Sequence, residues 1–114
     1  MAVMRLVILE SPFGAVDEAQ MWRNIGYLDR AIRDSVLRDE APIASHKLYP
    51  GPLSDGDLYE RDLGIRCGYA WWVAAEAVVF YTDLGWSAGM KAALIRAQTV
   101  HMPTEQRSIA HLTN

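Results

Sequence analysis

The chain has 114 residues, 51% of them hydrophobic, and a formal net charge of -3 at pH 7. That length supports one domain with its own core, and the apolar content excludes a disordered chain. Positive and negative residues are mixed without a basic stripe, which excludes duplex nucleic acid as an expected partner.

The first predicted element is a strand over Val3 to Leu9, an almost unbroken apolar run of the kind buried on both faces of a sheet. One early Arg and a short apolar run do not make a signal peptide, so the expected location is the cytoplasm. The run stops at Glu10-Ser11-Pro12-Phe13-Gly14, where Pro and Gly break the pattern. Asp17-Glu18-Ala19-Gln20 has capping-box spacing, and Trp22, Ile25, Leu28, Ile32 and Val36 follow at steps of three and four. This predicts a helix to about Arg38, with Arg30, Arg33, Asp34 and Arg38 on solvated faces.

Ala41-Pro42-Ile43-Ala44 predicts a short second strand, placed at a sheet edge by Pro42. A turn-rich loop follows from Ser45-His46-Lys47-Leu48-Tyr49 through Gly56. Asp57-Leu58-Tyr59-Glu60 again has capping-box spacing and predicts a helix to about Ala75. Its expected core positions are Leu58, Leu63, Ala70, Trp71 and Ala74, and Gly64 and Gly68 suggest close backbone approach. Cys67, the one cysteine, is expected to be packed and inert; it permits no intramolecular disulfide, in keeping with a reducing compartment. The apolar stretch Tyr69 to Tyr81 is interrupted by Glu76 and is too short to span a bilayer.

Ala77 to Tyr81 predicts a third strand, and Ser87 to about Gln98 a third helix with Met90, Leu94 and Ala97 inward. Thr99 to Met102, before Pro103, is the candidate fourth strand. Residues 1–107 are expected to form the domain and 108–114 a polar tail. Strands alternating with helices imply an α/β three-layer sandwich, with a sheet of four parallel strands, or five, in order 2-1-3-4. In such sheets ligands bind beyond the carboxyl ends of the strands, where the strand order reverses.

Three loops should meet there. The first carries Glu10, Ser11, Pro12 and Phe13, the second Ser45 and His46, and the third Asp83, Gly85, Ser87 and Gly89; Tyr59 and Glu60 open the second helix nearby. Asp83 is either a diol acceptor or a turn residue. Gly85 permits a positive φ. Ser87 is a helix cap, and Gly89 leaves backbone donors open to an anion. His46 is either an acid, base or ligand donor, or a surface histidine without a role. A buried Glu10 would have a raised pKa and could act as a base; pointing to solvent it would do nothing. Glu60 and Asp57 read either as helix N-terminal acids or, less simply, as catalytic ones. No histidine pair has metal-ligand spacing, so neither metal nor cofactor is expected.

The chain resembles the nucleoside 2-deoxyribosyltransferase-like group, and most closely its small bacterial and phage members. Ser11-Pro12-Phe13, Ala41-Pro42-Ile43-Ala44-Ser45-His46, and Val78 to Tyr81 running into Asp83-Leu84-Gly85-Trp86-Ser87-Ala88-Gly89 carry the resemblance. It implies a flavodoxin-like domain that binds a nucleoside or nucleotide at the strand ends, through these residues and Met90, and assembles as a dimer or higher homo-oligomer. In those transferases a third-helix glutamate attacks the anomeric carbon. Here the aligned position is Gly89 or Ala93, in a helix without an acid before Arg96. Three readings stay open: cleavage or transfer at the N-glycosidic bond using Glu10 or Glu60, nucleotide sensing or sequestration without chemistry, and a protein-interaction module with a vestigial pocket.

Overall fold

The computed structural model of the chain describes residues 3–112. Four strands, β1 (Arg5–Glu10), β2 (Glu40–Ile43), β3 (Ala77–Tyr81) and β4 (Thr104–Arg107), form one parallel sheet in order β2-β1-β3-β4. The connections are α1 (Glu18–Leu37), α2 (Ser45–Leu48), α3 (Leu58–Ala70) and α4 (Ala88–Thr99). A 3-10 turn over Trp71–Ala74 extends α3, and another over Ala110–Leu112 follows β4.

Successive strand residues point to opposite faces, so each central strand feeds two apolar layers. Val7, Leu9, Val79 and Tyr81 pack with Tyr27, Leu28 and Ala31 of α1. Ile8, Val78 and Phe80 pack with Trp72 and with Met90, Ala93 and Ala97 of α4. β3 is buried at every position, because it is central and covered on both faces. The result is a flavodoxin-like three-layer sandwich, with β2 at an edge as Pro42 required. Among the described residues no helix is long and apolar enough to cross a membrane.

Several elements differ from the sequence reading. The helix before β4 runs to Thr99, and Val100-His101 turns the chain with His101 at φ 59°. The strand therefore starts after Pro103 rather than ending at it. Its residues, Thr-Glu-Gln-Arg, are polar because an edge strand needs no apolar run. In α1 the buried residues are Asn24, Tyr27, Leu28, Ala31 and Ser35, whereas Trp22 is 60% exposed and Val36 is also exposed. Both sets share the helical spacing; small or hydrogen-bonding side chains won the inner face because the sheet lies close and offers polar partners. Asp34, expected to be solvated, accepts from the Tyr81 hydroxyl at 2.7 Å. In α3 only Gly68 is buried; Leu58 and Trp71 are exposed, and so is Cys67.

The segment after β4 is docked rather than free. Ile109 is buried and its N–H donates to Asp83 at 2.9 Å. Arg107 forms a buried bidentate pair with Glu40, both N···O distances being 2.7 Å. Ser35 also donates to Glu40, and Glu105 links Arg107 to Arg5. This network lies on the layer covered by α1.

Candidate functional site

A cavity of about 400 Å³ opens at the carboxyl ends of the strands. Its lining includes Glu10 and Ser11 from the end of β1, and Ser45 and His46 from α2. Ser87, Gly89 and Met90 come from the start of α4, and Phe13 from the first loop. The strand order reverses between β1 and β3, which is why these segments part and leave a crevice.

Glu10 is the last residue of β1 and is partly buried. Burial alone pushes its carboxyl up to about 8, and no hydrogen bond or ion pair to it is present among the described residues. It is a neutral acid at pH 7 with a proton to donate. Beside it, Ser11 Oγ lies 2.8 Å from His46 Nε2. Burial pushes the imidazole down to about 4, so His46 is neutral, and the Phe13 ring meets it edge-on at 6.2 Å. Position 46 lies in α2 rather than in a loop, and α2 is seated close on α3 at Gly68. A Cβ at Gly68 would stand 2.8 Å from Ser45, the close approach that the glycine spacing suggested.

Glu60 lines the cavity, but its Oε1 accepts the Ser54 N–H at 2.9 Å and so holds the long loop. Ser87 caps α4 by accepting the Met90 N–H at 3.2 Å. Gly89 and Ala93 both line the cavity and present no acid. Pro12 faces a second hollow instead. Tyr59 is 68% exposed and lines neither hollow. Gly85 takes φ 90° in the turn after β3, a conformation that favours glycine.

Asp83 also lies outside both hollows. Tyr27 donates to its Oδ2 at 2.6 Å, and Ser108 Oγ and the Ile109 N–H donate as well. Burial would raise its pKa, but these hydrogen bonds outweigh burial and bring it to about 2. Its carboxylate thus ties α1 and the segment after β4 to the turn after β3.

The far wall of the cavity was not read from the sequence. Gly64, Gly68, Tyr69 and Trp72 form it, with Ala93 of α4. Tyr69 and Trp72 meet edge-on at 5.4 Å, and the Arg96 guanidinium stacks 4.3 Å from the Tyr69 ring centre. The paired glycines were the one available signal, since they mark where another element sits against α3. The second hollow, about 240 Å³, lies between the first loop, α1 and the turn after β3 and shares Gly14 and Ser87 with the cavity. Among the described residues no three His, Cys, Asp or Glu side chains are grouped to hold a metal ion.

No curated protein and no solved structure matches the chain. A family described as "Domain of unknown function (DUF7768)" matches residues 5–107, from the first residue of β1 to the last of β4. With the whole sheet and the helices between its strands inside the match, the chain belongs to that family.

Proposed function

We propose that the strand-end cavity binds a nucleoside or nucleotide, with Glu10 as its proton donor. The observation that carries this reading is the Glu10 carboxyl, which faces a cavity at the switch point and has no protein partner among the described residues. The sugar and base offer acceptors for such an acid, and Ser11, His46 and Ser45 supply further polar contacts. The resemblance to the nucleoside 2-deoxyribosyltransferase-like group supports the same ligand class. It does not bring the transferase step with it, because Gly89 and Ala93 cannot form a glycosyl ester. The chemistry consistent with these residues is hydrolysis: the N-glycosidic bond breaks as Glu10 gives its proton to the departing base, water adds to the anomeric carbon, and the proton that water sheds restores the Glu10 acid through solvent.

Thermal shift with nucleosides, nucleotides and cyclic nucleotides tests binding, since a ligand of the folded state raises the melting temperature. No shift at millimolar concentration across the set sinks the proposal. Release of free base tests catalysis, and Glu10→Gln is expected to lower it by about 100-fold or more.

A second reading, a nucleotide sensor or sequestering protein, is favoured by the absence of an acid on α4. It predicts binding without base release. The exposure of Trp22, Leu58 and Val73 favours a contact surface in addition, in keeping with a homo-oligomer. Sedimentation at micromolar concentration tests that point: a monomer throughout removes the oligomer from the proposal.

A further inference from the structure

Ser11 and His46 meet where two paired strands end at the main cavity. Ser11 follows β1 directly, and His46 stands in α2, shortly after β2. Ser11 Oγ lies 2.8 Å from His46 Nε2, and neither side chain has another hydrogen bond among the described residues. Both residues line the cavity, which gives a small molecule a route to the buried Ser11. The imidazole is held in place: α2 is seated against Gly68, where an added Cβ would stand 2.8 Å from Ser45, and Phe13 meets the ring edge-on. A serine within reach of a neutral, positioned imidazole is the arrangement of an activated nucleophile. With the ring proton on Nδ1, the Nε2 lone pair accepts from the Ser11 hydroxyl.

The start of α4 adds backbone donors to the same lining. The N–H groups of Ala88 and Gly89 have no acceptor among the described residues, the cap Ser87 being taken up by Met90. Gly89 has no side chain to cover them. Donors of this kind suit the oxyanion of a tetrahedral intermediate.

We infer that Ser11 is a nucleophile, with His46 as its base, toward a neutral carboxylic ester. Leu53, Ile65, Tyr69 and Trp72 give the cavity an apolar side for an acyl group, and Asp55 and Glu60 in its lining disfavour an anionic one. The Ser11 hydroxyl proton passes to His46 Nε2 as Oγ bonds to the acyl carbon. The ester C–O bond then breaks, and the alcohol leaves with the proton from His46. Water gives a proton to His46 and adds to the acyl carbon; the acid departs, and Ser11 takes its proton back. Burial makes the imidazole a weak base, so turnover is slow and a covalent adduct is the more sensitive readout. This activity does not depend on the nucleoside reading.

An alkyl fluorophosphonate tests it, since serine attack on the phosphorus expels fluoride and leaves a stable adduct. Mass spectrometry is expected to find the adduct on Ser11. Hydrolysis of p-nitrophenyl acetate is expected to fall to background in Ser11→Ala. His46→Ala should slow the labelling by about 100-fold, and added imidazole should restore part of it. His46→Gln keeps an acceptor for Ser11 without a base and should label as slowly; circular dichroism checks that each variant folds. No adduct on Ser11 in the wild-type chain overturns the inference. So does labelling of a folded His46 variant at the wild-type rate, or a slow His46→Ala that imidazole does not restore. Each of these leaves the nucleoside reading standing, because thermal shift and base release measure that separately.

Discussion

At the residue scale, Glu10 and His46 share a cavity and an origin for their shifts, since burial without a compensating charge drives each toward its neutral form. Their effects on stability have opposite signs. Glu10 rises from 4.5 to about 8, so the folded chain keeps a proton that the unfolded chain loses. The stability tied to that proton is complete below the ordinary value and is lost as pH rises through about 8. His46 falls from 6.5 to about 4, so its contribution is complete above 6.5 and is lost as pH falls through about 4. The two slopes oppose one another between 4.5 and 6.5, which places the most stable pH from this pair inside that window. Denaturant midpoints measured from about pH 4 to about pH 9 should therefore trace a dome, and Glu10→Gln should flatten its alkaline side. If the variant keeps the full alkaline decline, the buried carboxyl is not its cause. The identity of this acid was readable from the sequence as the odd residue after an apolar strand. Whether it faced solvent or a cavity depended on α2, α3 and α4, which come from elsewhere in the chain.

At the scale of elements, two helical glycines with the same propensity should respond in opposite ways. Gly26 of α1 has nothing within 4 Å of an added Cβ. Gly26→Ala should raise stability by about 0.5–1 kcal/mol through helix propensity alone. Gly68 of α3 would place its Cβ 2.8 Å from both Cβ and Oγ of Ser45. Gly68→Ala should lower stability by about 1–3 kcal/mol despite the better propensity, because α2 must move. Urea melts of the two variants check both signs, and a stabilised Gly68→Ala would mean that α2 does not pack on α3 as described. That shift of α2 would also carry His46 away from Ser11, so ligand binding should weaken in Gly68→Ala and not in Gly26→Ala. The existence of α1, α3 and α4 and their caps could be read locally. Asp17 does accept the Gln20 N–H, and Asp57 the N–H groups of Tyr59 and Glu60. Which stripe of α1 turned inward could not be read, since Trp22 and Val36 repeat at the same spacing as Tyr27 and Ala31.

At the scale of the molecule, Glu40 and Arg107 join the two edge strands through a buried pair. Ser35 donates to Glu40 and the Tyr81 hydroxyl accepts from Arg107, which completes much of its polar shell, while Arg107 Nε is buried without a partner among the described residues. Removing one partner takes the bidentate contact from the other, which keeps only the weaker compensation of Glu105 beside Arg107 or Arg5 beside Glu40. Arg107→Met alone, or Glu40→Leu alone, should cost about 3–5 kcal/mol. The double variant should cost clearly less than the sum, with a coupling of about 0.5–3 kcal/mol. Additive losses in equilibrium unfolding would show that the two groups do not act as a pair.

The sequence by itself determined the alternation of strands and helices, the 2-1-3-4 order with β2 at an edge, and the strand ends where a site would form. These follow from short-range signals: apolar runs that need cover on both faces, capping residues, and the handedness of parallel crossovers. It also marked Glu10, Ser11, Ser45, His46, Ser87 and Gly89, which the folded chain does gather around one cavity. Only the tertiary structure decided the use of each polar group. Asp83 stands at a strand end like a ligand-binding residue, yet Tyr27, Ser108 and Ile109 take up its carboxylate. Glu10 stands at the end of the neighbouring strand and has no hydrogen-bond or ion-pair partner among the described residues. A polar side chain is free or occupied according to what packs against it, and those partners lie far away in sequence: 56 residues from Asp83 for Tyr27 and 67 from Glu40 for Arg107.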